Sequence, residues 1–500
     1  MDLLIIGFDG ADHDLINRFV DEGELPNIEK IRENGSHGML ESTAIPITPS
    51  AWTTFMTGKN PGKHGIFDFT RVNPKGLEVV SFNDVDEKTI FEILSEDKKV
   101  GTLNIPATYP PKNVNGFMVS GMMTPNLEKS TDHDEVLEIL RKNDYTIEVP
   151  GSYNPKKERK LLDDCFETLG KRHRTALDLI EKQNPDVFMP VFTVGDRVSH
   201  WFWKYHDENH PEFQESEFND AVREVYRRID TAVGELLESS GGLEETNVVI
   251  MSDHGFTGLY HGLNLNRKLM DEGLLELKNS PISRFRKIAY DAGMTMENAY
   301  QLVKKLGMEE KVKSAADNPD SNRKREIMSM PFLSFGDVDF ENTHAYSALH
   351  FGPVFLNTEE HRENVIEILE ELEHEGEKIV ENIEHGEDLY HGPYADQAPD
   401  IVYHTKGMHY QGSRYFEFGS NKVITKPFNN ESGHHRLEGI FAMAGPDFEQ
   451  NGEIKGAHIM DIAPTVLKAL GKEIPGDMDG QPLKVSSRKT KYDEAAISDF

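Results

Sequence analysis

The sequence of 500 residues contains a single cysteine, Cys165, and no long apolar run. One cysteine excludes an internal disulfide framework and all-thiolate metal sites, and it fits a reducing compartment. Cys165 is expected to be an ordinary buried apolar residue. No segment approaches about 18 uninterrupted apolar residues, so no membrane span is predicted. The opening MDLLIIGFDG lacks the basic flank of a secretory leader and meets Asp9 early, so a cytoplasmic protein is expected.

Basic residues are few in relation to acidic ones. The chain has 87 Asp and Glu against 54 Lys and Arg, which gives a net charge of −33. This charge is a poor match to a phosphate backbone, so binding of duplex nucleic acid is not expected. The acidic excess is spread along the whole length, which is typical of a solvated surface. Nothing in the composition specifies an oligomeric state.

Apolar runs of strand length alternate with helical patterns along the chain. The early runs are LLIIGFDG, VGTLNIPA, DVFMPVFTVG and NVVIMSDHG, and the helices are predicted over 14–34, 165–183 and 213–239. Near-continuous Val, Ile and Leu runs separated by helices predict an α/β fold, with a mostly parallel sheet between two helical layers. Later strands are predicted in FLSFGDVDF, HAYSALHFGPVFLN and GIFAMAGP, followed by a helix over 459–470.

The length allows one large domain with insertions, or two domains. Residues 281–326 are helical, charged and poor in strand signals, so they are predicted to form an inserted helical cap. The main domain is then discontinuous, covering 1–280 and 327–485, and a polar tail covers 486–500. Within it, the Glu-rich stretch 359–388 is predicted to be a solvated helix and linker.

Four acidic and histidine clusters are spread over more than four hundred residues. Their members are Asp9, Asp196 with His200, Asp253 with His254, and His435. Together they supply six oxygen and nitrogen ligands, three per ion, a set that Zn²⁺ or Mn²⁺ takes when water or substrate fills the remaining positions. Asp9 and Asp253 follow predicted strands, and ligands of such folds gather at the carboxyl ends of strands, so both are expected at one edge of the sheet.

Each cluster alone has an ordinary structural explanation. Asp196 and His200 would share one helix face, but an isolated pair with this spacing is more often a helix cap and a surface histidine. The sequence DHG is more often a turn than a pair of ligands. A lone histidine such as His435, with His434 as its rival, is usually structural or solvated. Only the conjunction of the clusters indicates a two-metal centre.

The segment PITPSAWTTFMTGKNPGKHGIFDF is rich in hydroxyl groups. Thr48 lies in a proline-bounded loop before a helical stretch, where backbone N–H groups could hold an anion and a dication could activate the hydroxyl as a nucleophile. The alternative hydroxyls are Ser42, Thr43, Ser50, Thr53 and Thr54. Hydroxyl content alone would be explained by capping and turn chemistry.

The motifs FDG, TPSAWTTFMTGKNPGKHGIFDF, FTVGDRVSHWFW, VVIMSDHGF and GHHRLEGIFAMAGP occur in this order. As a set they resemble the alkaline phosphatase superfamily, in its type I phosphodiesterase and nucleotide pyrophosphatase branch. The resemblance extends from Asp2 to about Pro482 and misses mainly the 281–326 insert and the tail. It implies an alkaline phosphatase-like three-layer fold. It also implies two-metal-dependent hydrolysis of a small-molecule phosphodiester, or a related phosphoryl ester, through a phosphothreonine intermediate.

The resemblance also implies a role for each motif residue. The implied ligand sets are Asp9, Thr48, Asp253 and His254 for one ion, and Asp196, His200 and His435 for the other. Thr48 is chosen over its neighbours because it stands nine residues before Thr57 of the TG pair, as the family's threonine does. Zn²⁺ is the expected metal, and Mn²⁺ or Fe are alternatives that the same ligands accept.

The chain departs from the family pattern at one position. Nucleotide pyrophosphatases carry a phosphate-binding asparagine after the P-x-x-H-G element, and here Phe69 stands at that place. This weakens the prediction of a nucleotide substrate. Arg71, Asn73 or a backbone amide could substitute, and His261, in a loop that could close over the site, is a further candidate for substrate binding. His64 is interpreted as structural.

Two other functions stay open as alternatives. The first is a phosphomutase or phosphotransferase of the same superfamily, although a manganese mutase of this group would resemble a serine nucleophile. The second is a non-catalytic binding protein that retained the fold, against which the intact ligand residues argue. A sulfatase is disfavoured because the C/S-x-P-x-R element is absent.

Overall fold

The computed structural model of the protein describes residues 1–73, 76–151, 153–305, 332–412, 418–427 and 430–484. Its α-helices are α1 (His13–Asp21), α2 (Pro26–Glu33), α3 (Thr48–Thr57), α4 (Pro61–His64), α5 (Ile90–Leu94), α6 (Asp134–Lys142), α7 (Glu158–Gln183), α8 (Val194–His206), α9 (Ala221–Ser239), α10 (Leu265–Asp271), α11 (Pro281–Asp291), α12 (Met296–Lys305), α13 (Arg362–Glu370), α14 (Gly386–Leu389) and α15 (Ile462–Ala469). Short 3-10 helices cover Phe82–Asp84, Leu127–Lys129, Phe335–Asp337, Glu359–His361, Ala395–Gln397, Lys406–Met408 and Ile459–Asp461.

The strands are β1 (Leu3–Phe8), β2 (Gly35–Glu41), β3 (Thr70–Asn73), β4 (Gly76–Val79), β5 (Val100–Ile105), β6 (Gly116–Ser120), β7 (Val187–Phe192), β8 (Asn247–Met251), β9 (Gly255–Gly258), β10 (His261–Leu263), β11 (Ala345–Ser347), β12 (Val354–Leu356), β13 (Glu373–His374), β14 (Glu377–Lys378), β15 (Val380–His385), β16 (Ile401–Thr405), β17 (Tyr410–Gly412), β18 (Ile424–Thr425), β19 (Gly433–Arg436), β20 (Glu438–Ala444), β21 (Gly452–Glu453) and β22 (Ala457–His458).

The central sheet has nine strands within the described ranges. Their order is β21-β2-β20-β8-β1-β7-β5-β6, and β22 also pairs with β2. Neighbouring strands are parallel except at β20, which runs antiparallel to both β2 and β8. The predicted α/β class with a mostly parallel sheet is therefore confirmed. The antiparallel direction of β20, the GIFAMAGP strand, was not part of the prediction.

Strand β1 shows why the sheet needs unbroken apolar runs. Its residues Leu4, Ile6 and Phe8 pack in a core with α1, α2, α7, α8 and α9, whereas Leu3 and Ile5 face a second core with α3, α5 and α15. Successive side chains of a strand point to opposite faces, so both sets must be apolar when helices cover both faces. The helices therefore form the outer two of three layers.

A second module begins at β10. It contains the four-stranded antiparallel sheet β11-β12-β16-β15 and the three-stranded sheet β17-β10-β18. These sheets share a separate apolar core with α10, α11 and α13. The strand predicted in FLSFGDVDF is wrong, because Phe335–Asp337 is a 3-10 turn whose start is capped by Ser334. The helix and linker predicted over 359–388 is wrong in its second half, where β15 pairs with β16.

The helix predicted over 14–34 is wrong in its continuity. It is broken into α1 and α2 by Gly23, which has a φ of +75°, and by Pro26, which begins α2. Glycine adopts this left-handed conformation without a steric penalty, and proline is favoured at the first helical position. Helix α7 begins earlier than predicted, and α9 begins later.

The predicted cap is helical as far as it is described, through α11 and α12. Residues 306–326 of the cap and the tail at 486–500 lie outside the described residues. The division of the chain at 281 and 326 stays a prediction. No described helix has the length and apolar character needed to cross a bilayer.

Candidate metal centre

Two carboxylates lie at the carboxyl end of the central sheet. Asp9 follows β1 and Asp253 follows β8, which is the parallel neighbour of β1. The Gly10 N–H donates to Oδ1 of Asp253 at 3.1 Å, and Nε1 of Trp52 donates to Oδ2 of Asp9 at 3.2 Å. Both aspartates are at most 1% exposed. The structure thus places them at the same edge, as the strand order predicts.

Helix α8 brings the D-x-x-x-H pair to the same edge. The helix begins directly after β7, and the Asp196 N–H donates to the Asp9 carbonyl at 3.1 Å. Oδ1 of Asp196 lies 3.2 Å from Nε2 of His200, one turn further along the helix. The prediction that TVGDRVSH opens a helix with both side chains on one face is confirmed.

The hairpin of β9 and β19 supplies the remaining histidines. His254 immediately precedes β9, and His435 lies on β19, which pairs with β9. The two imidazole rings are stacked with centroids 3.6 Å apart. Nε2 of His435 lies 3.0 Å from Oδ1 of Asp196. Strand β19 approaches α8 so closely that a Cβ at Gly433 would lie 2.3 Å from the Ser199 carbonyl, which excludes any side chain there.

All three imidazoles are oriented in the same way. In each ring Nδ1 forms a hydrogen bond with a backbone carbonyl. The pairs are His200 with Gly433 at 2.9 Å, His254 with Gly255 at 3.1 Å, and His435 with Pro46 at 2.8 Å. A ring nitrogen that donates to a carbonyl carries the proton, so each neutral ring has an unprotonated Nε2 available to a metal ion. The three Nε2 atoms converge on the carboxylates.

The ligand atoms form two adjoining groups, in each of which all atoms lie within 4.8 Å of one another. The first cluster is Asp9, Asp253 and His254, and the second cluster is Asp196, His254 and His435. Among the described residues, Oδ1 of Asp196 and Oδ2 of Asp253 are buried without a hydrogen-bond partner. Orphaned buried carboxylate oxygens beside imidazole Nε2 atoms fit divalent ions such as Zn²⁺, Mn²⁺ or Fe.

The electrostatics of the pocket also favour cations. Burial, together with the charges of Asp253 and Asp196, raises the pKa of Asp9 well above its ordinary value. Burial opposes ionisation of Asp196 too, but His200 and His435 outweigh burial and lower the pKa of that carboxyl. Burial and the neighbouring His254 lower the pKa of His435. A bound cation would offset the repulsion among the three carboxylates.

Thr48 lies beside His254, the residue that both clusters share. It is the first residue of α3, is 4% exposed, and its Oγ1 lies 3.5 Å from Nε2 of His254. Three alternative hydroxyls have other hydrogen-bond partners. Ser42 donates to the Asp253 carbonyl at 2.5 Å, and Thr43 donates to the Ile45 carbonyl at 2.6 Å. Thr54 pairs with Nε2 of His64 at 2.9 Å. The other two alternatives, Ser50 and Thr53, follow Thr48 in α3.

The predicted substrate-binding residues have other neighbours. Arg71, on the hairpin of β3 and β4, forms an ion pair with Asp84. Asn73 ends β3, and its side chain lies outside the described residues. His261 packs against Tyr410, with ring centroids 4.8 Å apart, and against His374 at 4.4 Å.

His64 and His434 are also held by the protein itself. The Ile66 N–H donates to Nδ1 of His64, so Nε2 carries the proton toward Thr54, and burial lowers the pKa of His64 to about 3. His434, the rival of His435, lies next to it on β19, and the two rings are stacked with centroids 5.5 Å apart. The His434 side chain contacts Gln411 and packs on Phe351, with ring centroids 4.4 Å apart.

Several residues that support the site were not predicted. Trp52, which holds Asp9, stands four residues after Thr48, and this helical spacing was a usable signal. Arg436 pairs with the buried Asp12 at 2.6 Å and so fixes β19 to the start of α1. No local pattern connects residues 424 positions apart.

In this protein the edge of a mostly parallel sheet carries two adjoining clusters of potential metal ligands beside a buried threonine. This is the architecture of alkaline phosphatase superfamily hydrolases. The sequence signature described as type I phosphodiesterase / nucleotide pyrophosphatase matches residues 3–330. The chain therefore belongs to the type I phosphodiesterase / nucleotide pyrophosphatase family, a family of phosphoester hydrolases. The match includes Thr48 and every predicted ligand except His435.

Solved structures share the fold at low sequence identity. Phosphonoacetate hydrolase from Sinorhizobium meliloti 1021 is 12% identical, with a TM-score of 0.53, over 93% of this chain and 94% of that one. Murine ectonucleotide pyrophosphatase / phosphodiesterase 5 is 13% identical, with a TM-score of 0.51, over 95% of this chain and 96% of that one. No curated protein matches the chain.

Proposed function

We propose that the protein is a two-metal-dependent phosphodiesterase that hydrolyses a small phosphodiester, or a related phosphoryl ester, through a phosphothreonine on Thr48. One observation carries this proposal. Oγ1 of Thr48 lies 3.5 Å from Nε2 of His254, the residue that both clusters share. Membership of a family of phosphoester hydrolases supports the same reaction class.

In this proposal the ions are divided as the family resemblance implies. Asp9, Thr48, Asp253 and His254 hold one ion, and Asp196, His200 and His435 hold the other. The nitrogen and oxygen donors favour Zn²⁺, with Mn²⁺ and Fe as alternatives. When bound, the ions would lower the pKa of the threonine hydroxyl and neutralise phosphoryl oxygens.

The side chain of Thr48 performs the covalent step. Its Oγ forms a bond to phosphorus while the bond from phosphorus to the leaving alcohol breaks, and water then hydrolyses the phosphothreonine. Thr48 begins α3, whose first backbone N–H groups have no partner within the helix and favour an anionic phosphoryl group. Arg71, Asn73 and His261 stay candidates for substrate binding, although Arg71 would have to act while paired with Asp84.

We also propose that the protein is located in the cytoplasm. Cys165 is fully buried, and burial raises the pKa of its thiol to about 12. A buried, protonated thiol is inert, so the single cysteine needs no oxidising compartment and gives no disulfide chemistry.

Elemental analysis combined with a substrate screen tests the site and the reaction class together. We expect two transition-metal ions per chain and hydrolysis of an aryl phosphodiester that stops when a chelator removes the metal and resumes when Zn²⁺ is restored. Transfer of phosphate between acceptors without net hydrolysis would favour the mutase or phosphotransferase alternative. A chain that binds no metal and hydrolyses neither diesters nor monoesters would contradict the proposal and favour a binding protein.

A further inference from the structure

The helices α11 and α12 carry a cluster of exposed apolar side chains. Among the described residues, seven large apolar side chains are strongly exposed, and five of them lie on these helices and their connection. We name this group the cap surface, and its members are Ile282 at 63% exposure, Phe285 at 61%, Ile288 at 69%, Met294 at 47% and Leu302 at 57%. Exposed apolar groups are normal when scattered singly, whereas a concentration of five on two consecutive helices indicates a surface that binds something.

Three members of the cap surface lie on one face of α11, whose opposite face is anchored. Ile282, Phe285 and Ile288 recur every three residues and so share one side of α11. On the inner side, Tyr290 is buried in the core of the second module and donates to the Ser420 carbonyl. Ser283 donates to Asp337 at 2.9 Å. The helix is therefore held against the second module while its apolar side faces outward.

The charge of this region is opposite to that of the rest of the chain. Between residues 278 and 305 there are six Lys and Arg against two Asp and Glu, in a protein with a net charge of −33. Arg284 and Lys287 lie on α11 among the exposed apolar residues, and the Arg284 side chain is exposed. A helix with basic residues beside an exposed apolar face is typical of segments that lie in the interface of an anionic bilayer.

We propose that the cap surface docks the protein on the surface of a membrane that contains anionic lipid. The apolar side chains would enter the boundary between headgroups and acyl chains, and the basic residues would meet lipid phosphates. The chain as a whole is acidic and would be repelled by the same membrane, which favours approach through this basic segment.

A second copy of the chain fits the cap surface less well. A two-fold dimer brings the same patch of both subunits together, so the basic residues of one cap surface would face those of the other. Like charges in such an interface are destabilising. This charge argument favours lipid over self-association, and both are distinguished by experiment.

Vesicle flotation of the full chain tests the docking. Vesicles of phosphatidylcholine alone are compared with vesicles that also contain phosphatidylglycerol, at the lowest salt concentration at which circular dichroism shows the native fold. We expect binding to the anionic vesicles to exceed binding to the neutral ones by about tenfold or more, since each basic residue near the surface contributes about fivefold.

Two sets of variants locate the surface. The triple variant Ile282→Ser, Phe285→Ser and Ile288→Ser should lose flotation, whereas Val79→Ser, at an apolar residue that is 67% exposed elsewhere, should keep it. The double variant Arg284→Glu and Lys287→Glu should bind anionic vesicles more than about tenfold less well. The double variant Lys88→Glu and Lys426→Glu, at lysines whose side chains are 70% and 82% exposed, is the matched charge control.

Two outcomes would overturn the proposal. The first is a wild-type chain that does not float with anionic vesicles, or a triple variant that floats as well as the wild type. The second is a wild-type dimer that the triple variant converts to a monomer without any vesicle binding, because the surface would then be a subunit interface. The rate on an aryl phosphodiester should be unchanged in all these variants, and an inactive chain that still floats would contradict the proposed function alone.

Discussion

The two clusters of the candidate metal centre are built differently. In the first, Asp9 and Asp253 follow adjacent strands of the central sheet and are at most 1% exposed. In the second, Asp196 comes from a helix and His435 from a hairpin, and the Asp196 side chain is 16% exposed. The first cluster is thus part of the sheet core, whereas the second depends on the docking of α8 and β19. We expect the first to be the more rigid, and the second to be the one that meets solvent.

The largest predicted effect concerns the hydroxyl beside the first cluster. Thr48→Ala removes the nucleophile but none of the Asp or His ligands, so hydrolysis of an aryl phosphodiester should fall by about a thousandfold or more while metal content stays close to two ions. Ser50→Ala, two residues further along α3, is the control and should keep the wild-type rate. A Thr48→Ala variant that turns over like the wild type would disprove the assignment.

The next prediction separates the clusters by the stability of the metal-free protein. Asp9→Asn removes a carboxyl whose pKa is raised by burial and by Asp253 and Asp196, so the free energy of unfolding in chelator should increase. Asp196→Asn removes a carboxyl whose pKa is lowered because His200 and His435 outweigh burial, so unfolding should become easier. The two changes in unfolding free energy are expected to have opposite signs at neutral pH.

Urea denaturation in chelator measures this difference, and elemental analysis should show one ion lost in each variant. Asparagine keeps an oxygen that can accept the Trp52 N–H, so the Asp9→Asn variant tests charge rather than packing. If both variants shift the unfolding free energy in the same direction, the clusters do not differ electrostatically as described.

The smallest predicted effect is a difference in pH dependence. Burial and the neighbouring aspartates raise the pKa of Asp9. At His254 burial is outweighed by the charge of Asp253, so the pKa of His254 is raised as well. Both groups must release protons before they bind an ion. The pKa values of Asp196 and His435, the two members that the second cluster does not share with the first, are lowered, so protons compete less at these two ligands.

As the pH falls through the raised pKa values, affinity of the first cluster should decrease about tenfold per unit for each proton displaced. Elemental analysis after dialysis at decreasing pH should therefore show loss of the first-cluster ion before the other. The Asp196→Asn variant, which retains the first cluster, should lose its remaining ion at higher pH than Asp9→Asn does. The reverse order would refute the comparison.

Sequence reasoning predicted the fold best where the strands are buried on both faces. The runs that became β1, β7 and β8 are almost purely apolar because helices cover both sides of the sheet. It failed in the second module, where β15 is charged and half exposed and is a strand only because it pairs with β16. Such pairing is a tertiary effect that local composition does not encode.

The candidate site likewise has features that the sequence predicted and features that it did not. The positions of Asp9 and Asp253 followed from the rule that parallel strands end at one edge, and the alignment of Asp196 with His200 followed from helical spacing. Their roles as ligands stay predictions. The contact of Arg436 with Asp12, at 2.6 Å, joins segments hundreds of residues apart and had no local signal.

The sequence by itself determined which side chains are available, the alternation of strands and helices, and the order of the motifs, because these depend on residue type and on periodicity along the chain. Only the tertiary structure decided that three Nε2 atoms and three carboxylates face one another, that β20 runs antiparallel, and that the apolar side of α11 faces outward. These features depend on how distant segments pack, and packing is a property of the folded chain as a whole.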